Sequence, residues 1–230
     1  MPAGNHTKPH QNALDCVVSS YTHTIKALAY ASDQLKDVRQ TIVSEPQRVL
    51  LVSMAKTPER LDLPYVDAEI QAVMHLISPH MTTDILTLPS KPLVHEKQQQ
   101  ASVVHFACRG EFADDPSDSL IMFSDWKADP FFLTDMVRMK LDITQFAYLS
   151  VCHASSDRNV SLIEEGINMA GACQLAGYPG VVGTLWQISD DRSPRIAESI
   201  YETMYTTSNV LDFRKAAIGL HHARLKQETQ

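Results

Sequence analysis

Short apolar segments rich in β-branched residues recur along this chain, and longer segments of helical periodicity separate them. The strand-like segments are Cys16–Ser20, Val49–Met54, Asp84–Leu88, Val103–Ala107, Ala147–Val151 and Val181–Leu185. The helical segments are Asp67–Ile77, Glu164–Leu175, Pro194–Tyr205 and Asp212–Lys226. Buried strands that alternate with helices are typical of a mainly parallel sheet covered on both faces. The pattern therefore predicts a doubly wound α/β fold.

The composition restricts the partners of such a domain. The chain has 230 residues, enough for one sizeable α/β domain, and its net charge of −7 without a lysine–arginine stripe argues against nucleic acid. It contains no apolar run of about 18 residues, which argues against a membrane span. The polar segment Met1–Gln11 also lacks the hydrophobic core of a secretory signal. We therefore expect a soluble protein that acts on neither nucleic acid nor membranes.

The cysteines and acidic residues do not form a metal-binding pattern. The four cysteines are scattered without CxxC spacing, so we expect neither a disulfide framework nor a zinc site, and a reducing, cytoplasmic compartment is favoured. The acidic loop Asp114–Ser119 lacks the glycine and the terminal glutamate of a calcium-binding loop. The sequence predicts neither a metal nor a cofactor.

Two predicted strands lead into reactive or charged residues at their carboxyl ends, where parallel sheets collect ligands and catalytic groups. Val103–Ala107 is followed by Cys108-Arg109-Gly110, and Ala147–Val151 is followed by Cys152-His153. A cysteine that leaves a buried strand and precedes small polar residues is placed as a strand-borne nucleophile would be. Spacing alone fits a buried structural cysteine at least as well.

Four segments of the chain form more specific sequence motifs. They read Val18-Ser19-Ser20-Tyr21-Thr22, Val103-x-His105-Phe106-Ala107-Cys108-x-Gly110, Leu149-Ser150-x-Cys152 and Ala176-Gly177-Tyr178-x-Gly180-Val181-Val182-Gly183-Thr184-Leu185-Trp186. Their order and spacing resemble the CHAT domain of the caspase–separase group of cysteine peptidases, which are hydrolases, in the form found in the fungal branch. The resemblance extends from Asp15 to Lys226.

The resemblance implies a caspase-like fold whose parallel core strands have the order 2-1-3-4-5, counted from Val49–Met54, with a cleft at the ends of strands three and four. It predicts a domain over residues 13–230, behind a flexible N-terminal segment over residues 1–12. The strands that usually open and close the family's domain have no counterpart here. Its ends have therefore either decayed or lie outside this sequence.

The resemblance also implies a histidine–cysteine dyad, in which the cysteine attacks the scissile carbonyl and the histidine moves the proton. Cys152 takes the nucleophile position, and Gly110 takes the position of the turn that holds the oxyanion. The family's usual wording is His-Phe-Ala-Cys-His-Gly, so the catalytic histidine position falls on Arg109. An arginine cannot accept the thiol proton, although its charge can favour a nearby thiolate. We expect Arg109 and Cys152 to end neighbouring strands, with their Cα atoms within about 10 Å.

Four other residues near the cleft have alternative interpretations. His153 could replace the missing base, but neighbouring side chains on an extended segment point to opposite sides. His105 is expected to be buried in the sheet and structural. Trp186 could line a substrate pocket or be a core or rim aromatic. Asp190 could contact a basic substrate residue or cap the following helix.

These observations leave three hypotheses for function. The first is a peptidase homologue that has lost turnover through Arg109 and acts as a binding or regulatory pseudo-enzyme, with a protein or peptide as its partner. The second is an active cysteine endopeptidase that uses Cys152 with an unorthodox base. The third is a structural or assembly module in which the cleft is a relic.

Overall fold

The computed structural model describes residues 17–18, 29, 46–77, 81–111, 113, 115–153, 162–183, 190–206 and 209–228. Its strands are β1 (Arg48–Ser53), β2 (Thr82–Thr87), β3 (Val103–Glu111), β4 (Leu120–Met122), β5 (Phe131–Phe132), β6 (Phe146–His153) and β7 (Gly180–Gly183). Its helices are α1 (Val66–Ile77), α2 (Lys91–Gln98), α3 (Leu133–Arg138), α4 (Leu162–Ala176), α5 (Ser193–Met204) and α6 (Ala216–Glu228). The predicted flexible segment 1–12 lies outside the described residues.

Five strands of the sheet are parallel and follow the order β2-β1-β3-β6-β7. Counted along the chain, these parallel strands have the predicted order 2-1-3-4-5, and the predicted α/β fold is confirmed. The strands β4 and β5 were not predicted; β4 pairs antiparallel with the carboxyl end of β3, and β5 pairs with β4. Their segments have only three and two residues, too few to carry a recognisable alternation.

The strand that carries Arg109 is longer than predicted. It does not end at Ala107 but continues through Glu111, because Arg109, Gly110 and Glu111 pair with β4 on one side. On the other side β3 pairs with β6 as far as Gly110. The predicted first strand is wrong where it can be compared: Val17 and Val18 are in no strand and are 56% and 43% exposed.

The core has two halves, one on each face of the sheet. Alternate residues of β3 face opposite halves, since Val104 and Phe106 belong to one buried cluster and Val103 and Ala107 to the other. The first half is covered by α2, α3 and α4. The second is covered by α1, α5 and α6, where Ile70, Val73 and Ile77 are buried as predicted and Met74 is partly buried. Both faces of the sheet are therefore covered, as the apolar strands require.

No helix among the described residues is both long enough and apolar enough to cross a lipid bilayer.

Candidate active site

Arg109 and Cys152 are direct partners in the sheet. Arg109 on β3 pairs with Cys152 on β6, one step before Gly110 pairs with His153. Neighbouring strands are about 4.8 Å apart, so the expectation that the two residues lie on adjacent parallel strands with their Cα atoms within about 10 Å is confirmed. Neither residue is the last of its strand, because β3 continues through Glu111 and β6 through His153. Cys152 is partly buried and packs against the core half under α1 and α5. The register places Arg109 on the same face of the sheet as Cys152.

The Arg109 side chain binds the loop between β1 and α1, residues 54–65, which we call the β1–α1 loop. Its Nε donates a hydrogen bond to the carbonyl oxygen of Leu61 at 2.9 Å, and its Nη2 lies 3.5 Å from the carbonyl oxygen of Asp62. The guanidinium is therefore oriented by main-chain carbonyls, which leave its charge unneutralised.

Several contacts anchor the β1–α1 loop across the carboxyl end of β3. Arg60 forms an ion pair of 2.6 Å with Glu111, and its guanidinium stacks on the ring of Trp126 at 4.9 Å. The indole Nε1 of Trp126 donates to the carbonyl oxygen of Pro58 at 3.1 Å. The sequence analysis missed Arg60 and Trp126, because these contacts join residues 51 to 68 positions apart and no local motif connects them. These contacts hold the loop in place beside Arg109.

A buried polar network lies beneath this site. Glu69 on α1 is 1% exposed and accepts hydrogen bonds of 2.9 Å from the Ser150 hydroxyl and from Nε2 of His105. The other ring nitrogen of His105, Nδ1, is 3.3 Å from the Tyr201 hydroxyl, which completes the network when the ring carries its hydrogen on Nε2. His105 is fully buried, as predicted. The network connects α1 and α5 to the two strands that carry Arg109 and Cys152.

Burial and the Glu69 charge disfavour ionisation around the network. Burial raises the pKa of the Tyr148 and Tyr201 phenols, and the negative charge of Glu69 raises them further. Burial also raises the pKa of the Cys108 thiol well above its usual value, with additional contributions from Cys152 and Glu69. Burial alone raises the pKa of Cys173 to about 12. Cys108 and Cys173 are therefore held as thiols, as expected for structural cysteines.

We expect iodoacetamide at neutral pH to label Cys152 at least about a hundredfold faster than Cys108 or Cys173, because the thiolate is the reacting form and both other thiols are buried with raised pKa values. Peptide mapping by mass spectrometry over a time course measures the three rates separately. Comparable rates for all three would show that Cys152 is inaccessible in solution. Cys16 lies outside the described residues.

The remaining predicted site residues lie in different places. Gly110 is inside β3, between its partners Ile121 on β4 and His153 on β6, and not in a turn as predicted, because the additional strand β4 extends the sheet there. His153 is the last residue of β6. Trp186 lies outside the described residues. Asp190 begins a short 3₁₀ turn, Asp190–Arg192, that leads directly into α5.

The described residues contain no group of three or more histidine, cysteine, aspartate or glutamate side chains arranged to hold a metal ion. In the acidic loop, the Asp115 carboxylate instead accepts hydrogen bonds from the hydroxyl and the backbone N–H of Ser117. These hydrogen bonds lower the pKa of Asp115.

Comparison with known proteins gave one result that bears on this geometry. The family model described as CHAT domain matches residues 9–227, nearly the whole chain. No curated protein matched the chain.

Proposed function

The chain belongs to the CHAT domain family, and on that premise we propose that it is a cysteine-peptidase homologue that no longer turns over substrate and acts as a binding or regulatory pseudo-peptidase. The family membership and the mainly parallel sheet make the fold caspase-like and related to the cysteine peptidases. The proposed partner is a protein or peptide segment that occupies the cleft at the carboxyl ends of β3 and β6. No metal or cofactor is needed for this role.

The observation that supports this proposal is the residue paired with Cys152. In a histidine–cysteine dyad, the partner takes the thiol proton and later returns it to the leaving amine. Arg109 occupies the partner's register position, remains protonated in proteins, and has its guanidinium bound to the carbonyls of Leu61 and Asp62. It can therefore do neither step. The nucleophile position is kept while the proton-transfer group is lost, a combination that favours binding over cleavage.

The hypothesis of an active endopeptidase differs from the other two in that Cys152 would cleave peptides. We expect the wild-type chain and its Cys152→Ala variant to be indistinguishable when each is incubated with an unbiased peptide library and new termini are counted by mass spectrometry. Without general acid–base help, amide cleavage loses a factor of about 10²–10⁴ in rate. Cleavage that disappears in Cys152→Ala would overturn the proposal and favour an active endopeptidase in which His153 or another group is the base.

The library experiment also separates a binding role from an assembly role. Peptides that remain bound after washing, and that protect Cys152 from iodoacetamide, support a cleft that recognises peptides. Assembly with other proteins without any such protection would favour a structural module with a relic cleft.

A further inference from the structure

Arg109 differs from Arg48, Arg60 and Arg214 in how its charge is balanced. Arg48, Arg60 and Arg214 each face a carboxylate oxygen at 2.6–2.7 Å. Arg109 has no carboxylate oxygen within 4.0 Å in the part of the chain that the structure describes, and its two hydrogen bonds go to neutral carbonyls. A guanidinium held by carbonyls keeps its full positive charge and a fixed direction. Its remaining N–H donors, those of Nη1 among them, are available to a ligand.

The surroundings of Arg109 add features that a ligand would use. Leu61, whose carbonyl accepts the hydrogen bond from Arg109, has a side chain that is 83% exposed. In the same β1–α1 loop, the Thr57 hydroxyl and Nε of Arg60 are buried, and neither has a hydrogen-bond partner among the described residues. Thr57 as a whole is 4% exposed. Buried polar atoms without partners are uncommon in proteins, and these two belong to the loop that holds Arg109.

From these observations we propose that Arg109 is the anchor of a carboxylate-binding site in the cleft, and that it recognises a peptide through a carboxylate with an apolar neighbour placed on Leu61. The proposal rests on the proposed binding function and names the chemistry of its ligand. A guanidinium pairs with a carboxylate through two parallel N–H···O bonds, a geometry that no neutral peptide group reproduces. The carboxylate can come from the C-terminus of a peptide or from an aspartate or glutamate side chain.

Two alkylating reagents, one negatively charged and one neutral, test the site without requiring peptide cleavage. Iodoacetate carries a carboxylate and iodoacetamide carries a neutral amide, while in both the Cys152 sulfur attacks the CH₂ carbon, iodide leaves, and the thiol proton passes to the buffer. Both reagents react with the same thiolate. The effects of the thiol pKa and of the accessibility of Cys152 therefore cancel in the ratio of the iodoacetate rate constant to the iodoacetamide rate constant. We expect this ratio to be about tenfold higher in wild type than in Arg109→Gln, because one fixed charge within about 8 Å contributes on that order.

Two variants control for charge in general. Arg109→Lys keeps the charge but loses the planar fork, so we expect a ratio between those of wild type and Arg109→Gln. Lys56→Gln removes an exposed cation of the same loop and should change the ratio by less than about twofold. An equal ratio in wild type and Arg109→Gln, or an equal loss in Lys56→Gln, would overturn the proposal.

Protection by peptides identifies the source of the carboxylate. Three pools of N-acetylated tetrapeptides are compared for slowing iodoacetamide at Cys152: neutral side chains with a free C-terminus, neutral side chains with a C-terminal amide, and one acidic side chain with a C-terminal amide. Protection by the first or third pool alone supports the site and assigns its source. Equal protection by the neutral amide pool, or none by any pool, overturns it. Cys152-dependent cleavage of a pool would refute the lack of turnover but leave the carboxylate site standing.

Discussion

Cys152-dependent peptide cleavage is expected to appear when Arg109 is replaced by histidine. The variant should cleave a peptide library, or itself, faster than wild type by about 10²–10⁴, the usual contribution of general acid–base catalysis. The physical reason is the register: the new imidazole would start from the Cα position paired with Cys152, on the same face of the sheet. A neutral imidazole can take the thiol proton and, once protonated, deliver it to the leaving amine.

The measurement is the rate of new peptide termini for Arg109→His and for Arg109→His with Cys152→Ala, which must abolish the gain. Arg109→Lys is the matched control, because it keeps a cation at the position and supplies no base near neutral pH. Arg109→His also removes the hydrogen bonds to Leu61 and Asp62, so circular dichroism and urea unfolding should accompany the assay. A folded but silent Arg109→His would mean that the loss extends beyond one residue, and the assembly-module hypothesis would gain.

The second large effect is expected at the buried network. Glu69→Ala should lower the free energy of unfolding by about 3–5 kcal/mol, because it removes the acceptor of one buried and one partly buried hydrogen bond. Nε2 of His105 and the Ser150 hydroxyl then lose this partner. It also opens a space between α1 and the sheet, which adds a cavity cost. Urea unfolding followed by circular dichroism measures the change through its midpoint and slope.

Glu69→Gln separates hydrogen bonding from simple packing at the same site. Its amide oxygen can still accept from Ser150, and its amide nitrogen can donate to His105 if the ring moves its hydrogen to Nδ1, where Tyr201 can accept it. We therefore expect a loss of only about 1–2 kcal/mol. Glu202→Ala on the exposed side of α5 should cost less than about 0.5 kcal/mol. A loss below about 1 kcal/mol for Glu69→Ala would show that the network is not a structural anchor.

Much of the fold could be predicted from local pattern. The apolar runs around Val49–Met54, Val103–Ala107 and Ala147–Val151 are long enough to identify buried strands, and Asp67–Ile77 has a clear apolar face. The segment Pro89–Gln100, by contrast, shows no helical period, although it contains α2. Only Val94 and Gln98 of that helix are buried, so its apolar face is too narrow to produce a helical period.

For the candidate site, the sequence predicted which residues lie on neighbouring strands but not the contacts between distant segments. The pairing of Arg109 with Cys152 follows from two consecutive parallel strands with the expected register. The contacts of Glu69 with His105 and Ser150 join residues 36 and 81 positions apart, and that between His105 and Tyr201 joins residues 96 apart. Nothing in the local sequence of α1 distinguishes Glu69 from an ordinary solvated glutamate.

The sequence by itself determined the class of fold and the order of the parallel strands, because periodicity and sequence motifs are local properties of the chain. The tertiary structure alone decided that β3 extends through Glu111, that a carboxylate is buried beneath the site, and that Arg109 binds the carbonyls of Leu61 and Asp62. A side chain takes the direction in which its donors find acceptors, and which acceptors lie within reach depends on how distant segments pack.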